Sequence, residues 1–318
     1  MTFSGNQCFM IFKNTGEIID DLYMVGHPAM PVYLLDGEKP AVFDAGLAFL
    51  GNLYTDEIRQ IIGKRDLHYC FLSHSHFDHC GSVSVFKKNF PGLKVVASEK
   101  AKNVFGRPNA IELMRNLTQA AEQLAKSIGI ELAEFVQFEP FEVDITLKDG
   151  EFLELSRDLT VQVLETPGHT RDSLSYFIPR KKVLLCSEAA GIPDVTGYVV
   201  SEALVDFDQY YESMQRLNTV KYDVLCLGHR QALIGQDAIN YFKKSMADCR
   251  HFLNLVETAL GEEGGDVQKV IVRIKTSEYD TVPGPKQIEP AYLLNLEAKM
   301  KVIKKRLENR SGNSEIAN

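Results

Sequence analysis

Residues 70–81 read Cys70-Phe71-Leu72-Ser73-His74-Ser75-His76-Phe77-Asp78-His79-Cys80-Gly81. Three histidines and an aspartate fall within six positions, 74 to 79. An apolar run, Tyr69 to Leu72, leads into them, and Gly81 and an amphipathic stretch follow. Imidazole and carboxylate suit zinc, iron or manganese. Side chains alternate along a strand, so a strand ending in a tight loop aims His74 and His76 in one direction. Asp78 and His79, past the turn, face a second point nearby. The plain alternative is a solvated polar loop. Loops favour Gly, Asn, Ser and Pro, and three histidines serve no turn purpose.

Outward from this loop, chemistry-bearing residues recur where strand-like runs end. Ala41–Phe43 ends at Asp44-Ala45-Gly46, a common turn former. Leu159–Glu165 runs into Thr166-Pro167-Gly168-His169-Thr170, where the Pro-Gly pair makes a tight loop and admits close backbone approach. Val183–Cys186 runs into Ser187-Glu188, and Tyr222–Leu227 into Gly228-His229-Arg230.

The H-x-H-x-D-H pattern of His74 to His79, then Pro167-Gly168-His169-Thr170, then Gly228-His229, resembles the metallo-β-lactamase-fold hydrolase superfamily in motif and in order. The resemblance implies an α/β (α+β) class: a four-layer αββα sandwich with a helical C-terminal extension over the active site. It implies two divalent metal ions, zinc, iron or manganese. His74, His76 and His169 would hold one, and Asp78, His79 and His229 the other, with Glu188 and a water bridging them. The superfamily normally places Asp after Gly at the bridging position. Ser187-Glu188 keeps the charge on one more methylene. Asp44 would support the loop from below. The implied reaction is hydrolysis by a hydroxide between the two ions, with Asp78 as the catalytic residue that orients it. No protein nucleophile is then needed, so Ser73, Ser75 and Thr170 are read as loop residues.

Within the superfamily the chain looks most like the bacterial quinolone-signal-response thioesterases. The likeness rests on His68-Tyr69, Asp78-His79-Cys80-Gly81, the run Val95 to Glu99, a long helix at 109–128, and Glu289-Pro290 with Leu293-Leu294 near the final helix. Flavin-dependent diiron oxygen reductases carry Glu where this chain has His76. The expected function is metal-dependent hydrolysis of a thioester or ester. A lactonase, a glyoxalase-II-like hydrolase, an iron-dependent sulfur dioxygenase and a regulatory protein with a weak hydrolase site stand as alternatives.

Composition bounds the rest. The chain has 318 residues, 45 % hydrophobic and 25 % charged, and a net charge of 35 − 43 = −8. An acidic chain of this kind is not expected to bind nucleic acid. It has no 18-residue apolar run, so no membrane span is expected. No signal peptide is read at the N-terminus. Cys70, Cys186 and Cys226 lie in apolar runs as small hydrophobes, which suits a reduced, cytoplasmic protein. Cys80 is read as packing, not as a ligand. Residues 1–235 are expected to form the catalytic domain, with a helical insertion at about 107–130. Residues 236–310 would form a helical cap, and 311–318 a disordered tail. The expected partner is a small acyl substrate, with no nucleic acid and no membrane. A homodimer and a regulatory protein partner are left open.

Overall fold

The computed structural model describes residues 10–12, 14–127, 135–284, 286–287 and 289–316. Cys8, Ile128, Pro285, Ile288 and the last residues of the expected insertion lie outside them.

After β1 (Met10–Phe12), four strands form an antiparallel meander: β2 (Gly16–Ile19), β3 (Leu22–His27), β4 (Met30–Leu35) and β5 (Ala41–Phe43). The run from Ile18 to Met24 is divided between β2 and β3. Asp21 takes φ 64°, and the chain folds back there so that Ile19 pairs with Leu22. Aspartate tolerates this left-handed conformation better than most residues.

Helices then alternate with strands. α1 (Gly51–Ile62) returns the chain so that β6 (Tyr69–Phe71) lies parallel to β5. α2 (Phe77–Cys80) and α3 (Val83–Asn89) do the same for β7 (Lys94–Ala97). α4 (Glu99–Phe105), α5 (Pro108–Ala120) and α6 (Glu122–Ser127) precede β8 (Ile145–Thr146), again parallel. The single helix expected over 109–128 is thus α5 and α6, interrupted at Ala121. Just before the break, Thr118 bonds back to the Met114 carbonyl at 2.8 Å, a contact that bends helices.

The second sheet takes β9 (Phe152–Ser156), β10 (Leu159–Glu165), β11 (Leu174–Ile178) and β12 (Val183–Ser187), all antiparallel. β13 (Ile192–Pro193) and β14 (Val199–Val200) pair as a separate ribbon. α7 (Phe207–Leu217) crosses over so that β15 (Val224–Leu227) runs parallel to β12. β16 (Ala232–Ile234) joins β15 to β1. The chain continues as α8 (Gln236–Glu262), α9 (Val267–Lys275), a π-helical turn at Thr276–Asp280, and α10 (Glu289–Ile316). The segment expected as a tail from Ser311 is therefore helical as far as Ile316.

Three apolar clusters define the layers. Met24, Tyr33, Phe43 and Phe71 of the first sheet meet Val161, Val163, Tyr176 and Leu185 of the second. The Phe43 and Phe71 rings stack with centroids 5.0 Å apart. On the outer face of the first sheet, Val32 and Leu34 pack with Tyr54 of α1, Phe86 of α3 and Met114 of α5. The alternation along β4 sends Tyr33 and Leu35 inward and Val32 and Leu34 outward, as strand period demands. On the outer face of the second sheet lie Tyr210 of α7, Phe242 and Val256 of α8, Ile271 of α9 and Met300 of α10. The architecture is the expected four-layer αββα sandwich.

Two buried tyrosines tie the sheets together at one edge. Tyr176 of β11 donates to the Leu72 carbonyl at 2.6 Å, just before the histidine loop. Tyr33 of β4 donates to the Leu227 carbonyl at 2.7 Å, just before His229. Each bond holds the end of a strand in the opposite sheet. Side chains leaving the two sheets at that edge are thereby fixed relative to one another.

Candidate metal centre

The C-terminal ends of β5, β6, β10, β12 and β15 bear Asp44, the His74–His79 loop, His169, Glu188 and His229 in turn. His76 opens α2 in extended conformation, so Asp78 and His79, expected past the turn of a tight loop, lie on a one-turn helix. That turn fits only because residue 81 is glycine. A Cβ on Gly81 would stand 2.4 Å from the Ala48 nitrogen. His169 depends on a second glycine. Gly168 has φ 127°, and a Cβ there would stand 2.3 Å from the Tyr210 nitrogen. Glu188 leaves β12 through Ser187, whose φ is 46°, and opens a single 3-10 turn, Glu188–Ala190.

The structure brings all seven expected residues together as two groups able to hold a metal ion. His74, His76, His169 and Glu188 form one, and Asp78, His79, Glu188 and His229 the other. Glu188 belongs to both. Its Oε2 contacts His169 Nε2 and lies 3.6 Å from His74 Nε2 and 3.9 Å from His76 Nδ1. Its Oε1 lies 2.8 Å from His229 Nε2 and 3.8 Å from His79 Nε2. Asp78 Oδ2 closes the second group, 3.9 Å from His79 Nε2 and 3.8 Å from His229 Nε2.

A layer of acceptors turns these rings inward. His79 Nδ1 donates to Asp44 Oδ2 at 2.8 Å. His169 Nδ1 donates to the Glu202 carbonyl at 2.8 Å, and His229 Nδ1 to the Ala29 carbonyl at 3.2 Å. Ser73 Oγ donates to Asp44 at 3.0 Å and so accepts from His74 Nδ1 at 2.9 Å. Four imidazoles therefore present bare Nε2 lone pairs to the centre, as metal-bound histidines do. Without a cation this packing is unfavourable. His169 Nε2 stands 3.2 Å from His74 Nε2 and 3.1 Å from His76 Nδ1. His79 Nε2 is buried with no hydrogen-bond partner. Ligand atoms at about 2.1 Å around one tetrahedral ion stand roughly 3.4 Å apart, and the separations above bracket that spacing. The donor set fits divalent metal ions.

Charge balance points the same way. Burial, with His79, His76 and His169 close by, pushes His74 well below the usual imidazole range. Burial and His169 push His76 down to about 4. Burial also works against a charged His79, but Asp44 and Asp78 outweigh it and hold its pKa well up. At His169 burial is outweighed by Glu188. Glu188 is held well below the carboxylate range, burial being outweighed by His169. Negative charge on Glu188 is thus stabilised by the imidazoles around it.

Asp44, Asp172 and Glu202 complete the surroundings. Asp44 also accepts the Ser73 N–H at 2.8 Å and sits beneath the loop as expected. Asp172 accepts the Ser75 N–H at 2.8 Å, fixing the residue between His74 and His76. Thr170 Oγ1 bonds Ser173 Oγ at 2.6 Å and serves its own loop. Cys80 is buried in the apolar cluster of the first sheet and belongs to neither group. Asp172 and Glu202 escaped the sequence reading. An acid three positions after His169 was a usable signal. Glu202 acts through its carbonyl, which every residue has, so nothing marked it.

A family model, described as the metallo-beta-lactamase superfamily, matches residues 30–229. The chain belongs to this superfamily. Among solved structures, a metallo-beta-lactamase family protein of Thermus thermophilus shares the fold with TM-score 0.63 at 19 % identity, over 92 % of this chain and 95 % of that one. An archaeal superfamily protein from Sulfolobus tokodaii gives 0.56 at 16 %, over 90 % and 99 %. A B3 metallo-beta-lactamase described as having an active-site glutamic acid gives 0.54 at 19 %, over 74 % and 89 %. Curated relatives are more distant in length. A putative diflavin flavoprotein of Thermosynechococcus vestitus is 34 % identical over 23 % of this chain and 13 % of its own. One from Nostoc is 23 % identical over 58 % and 28 %. The Bacillus subtilis protein YobT, uncharacterized, is 25 % identical over 49 % and 60 %. The chain thus spans less than a third of these two flavoproteins. None of these relatives supports the narrower likeness to quinolone-signal-response thioesterases. Membership in the metallo-β-lactamase superfamily and the two side-chain groups suit divalent-metal binding and hydrolase-like chemistry. Among the described residues, no helix is long and apolar enough to cross a membrane.

Proposed function

We propose that this protein is a hydrolase of thioesters with apolar acyl groups, working through two divalent ions held by His74, His76 and His169 and by Asp78, His79 and His229. The observation that carries this reading is the position of Glu188, with one carboxylate oxygen toward each histidine group. Bound there, divalent ions would supply Lewis acidity, lowering the pKa of water and polarising the substrate carbonyl.

The chain's own residues do the rest. The site opens at His76, whose side chain is 38 % exposed, while His74, His79, His169 and Glu188 are buried. Asp78 stands at the same opening. It accepts a hydrogen bond from the attacking water and orients it. The hydroxyls and thiol beside the cluster do not compete as nucleophiles. Ser73 and Ser187 point beneath the cluster toward Asp44. Burial holds the Cys80 thiol well above its ordinary range. Beside the opening, α5 packs on α2, and partly buried Phe77, Ile111 and Phe135 extend the apolar cluster there. That surface favours an apolar acyl chain. The five described cysteines are free and buried, which supports a cytoplasmic location.

A thiol-release assay over acyl-CoA thioesters of increasing chain length, with ester and lactone controls, tests the reading. The metal-loaded protein should release thiol fastest from the longer acyl groups, and His76→Ala should abolish it. Equal inactivity of both proteins on every thioester, ester and lactone would overturn the hydrolase reading in favour of a binding or regulatory role. Oxygen uptake with a persulfide substrate would point to sulfur dioxygenase chemistry.

A further inference from the structure

The ring of His169 is set by a backbone carbonyl, that of Glu202. The Glu202 side chain is held in turn from the far end of the chain. Its Oε1 accepts from Lys299 Nζ at 2.8 Å, and each of these side chains is only 5 % exposed. Asn295 Nδ2 stands 3.5 Å from its Oε2. Asn295 and Lys299 are one turn apart on α10 and so share a face. The Glu202 N–H donates to Tyr210 Oη at 3.3 Å, and that hydroxyl donates to the Glu188 carbonyl at 3.1 Å. Glu202 therefore joins three things: the His169 ring, the backbone of Glu188, and α10.

Holding α10 in place does not explain the pair. Arg306 already clamps this helix, bonding Asp208 of α7 at 2.8 Å and Glu257 of α8 at 3.0 Å, with its guanidinium over the Phe207 ring. Leu296, Met300 and Ile303 bury its apolar face. A buried ion pair is a weak source of stability, because desolvation offsets most of the attraction. Its effect here is directional. It fixes which way Glu202 turns, and with it the carbonyl that His169 donates to.

We propose that Lys299 is a positioning residue for His169, so that the C-terminal helix is part of the metal centre although it lies outside the matched residues 30–229. The proposal rests on the metal-centre reading above. The experiment titrates metal-free protein with zinc alone, in competition with a chelator, and measures the melting temperature of the metal-free form. The variants are Lys299→Met, the double variant Glu202→Gln/Lys299→Met, and Arg306→Met. Wild type should bind two zinc ions. Lys299→Met should hold one as wild type does and bind the other at least about tenfold more weakly, the scale of lost ligand-orienting partners. The double variant removes the unpaired buried charge, so it should regain melting temperature without regaining the lost affinity. If Lys299→Met does not fold, the double variant carries the same comparison. Arg306→Met should lower the melting temperature and leave both affinities unchanged. Wild-type affinities in Lys299→Met would overturn the proposal. So would recovery of affinity together with stability in the double variant, or equal weakening by Arg306→Met. A wild-type protein that binds no zinc would overturn the metal-centre reading itself.

Discussion

Glu188 stands between two groups of imidazoles, and its length is matched to that position. Aspartate there would be one methylene shorter on the same backbone, so its oxygens could not keep both the His169 and the His229 contacts. Glu188→Asp should lose at least about tenfold in hydrolytic rate, the scale seen when ligand orientation is disturbed. A rise in rate would mean that the native glutamate holds the site in poor geometry. Asp44→Asn should weaken metal affinity by about ten- to a hundredfold, because the His79 Nδ1 proton loses a charged acceptor. Chelator competition reads this directly. The raised pKa values of His79 and His169 carry a further consequence. Metal-free protein keeps the protons on these two rings to higher pH than a free imidazole does, and a metal ion displaces them. Metal binding should therefore release protons and strengthen as pH rises, measurable by calorimetry in buffers of different ionisation enthalpy. The seven converging residues were legible in the sequence because histidines serve no turn purpose and because the motifs and their order resemble the superfamily's. Asp172, three positions after His169, was legible but went unread, whereas Glu202 acts through its backbone and carried no mark.

The elements carry the site through close approach as well as hydrogen bonds. Gly168→Ala would force a Cβ against the backbone of Tyr210 at a φ that alanine avoids, at a cost of about 1–3 kcal/mol of strain. It should lower the melting temperature and weaken metal binding together, because His169 is the next residue. Tyr176→Phe removes the bond to Leu72, worth about 0.5–1.5 kcal/mol, and a denaturation curve should show a loss of that size. β8 is fastened by Asp144, which accepts from the Val95 N–H at 2.8 Å and from Lys87 at 2.9 Å. Burial works to raise its pKa, but these partners outweigh it and hold it below the ordinary 3.8. A carboxyl lowered on folding stabilises the folded state above its unfolded pKa, and that contribution fades as pH falls through the folded value. The gap in melting temperature between wild type and Asp144→Ala should be full at neutral pH and close as the pH drops below 3.8. Strand runs and long helices were readable from periodicity. α2 was not, because a one-turn helix has no period to detect. The split between α5 and α6 was not, because the apolar stripe crosses Ala121.

Across the whole molecule, the αββα order followed from motif order more than from composition. The ligand motifs implied a superfamily, and the superfamily implied the layers. The C-terminal helices were legible as helices, but not where they pack. Their apolar faces complete the outer layer of the second sheet, and a single face of α10 reaches Glu202 behind His169. Which helix covers which sheet depends on contacts between residues a hundred positions apart, and periodicity carries no trace of those. The proposed chemistry depends on one carboxylate serving two cation sites. The most direct measurement is the number of metal ions per chain in protein purified and reconstituted with excess divalent metal, then freed of loosely bound ions. Two ions per wild-type chain is the predicted result. One ion or none would contradict the shared role of Glu188 and the hydrolytic chemistry built on it.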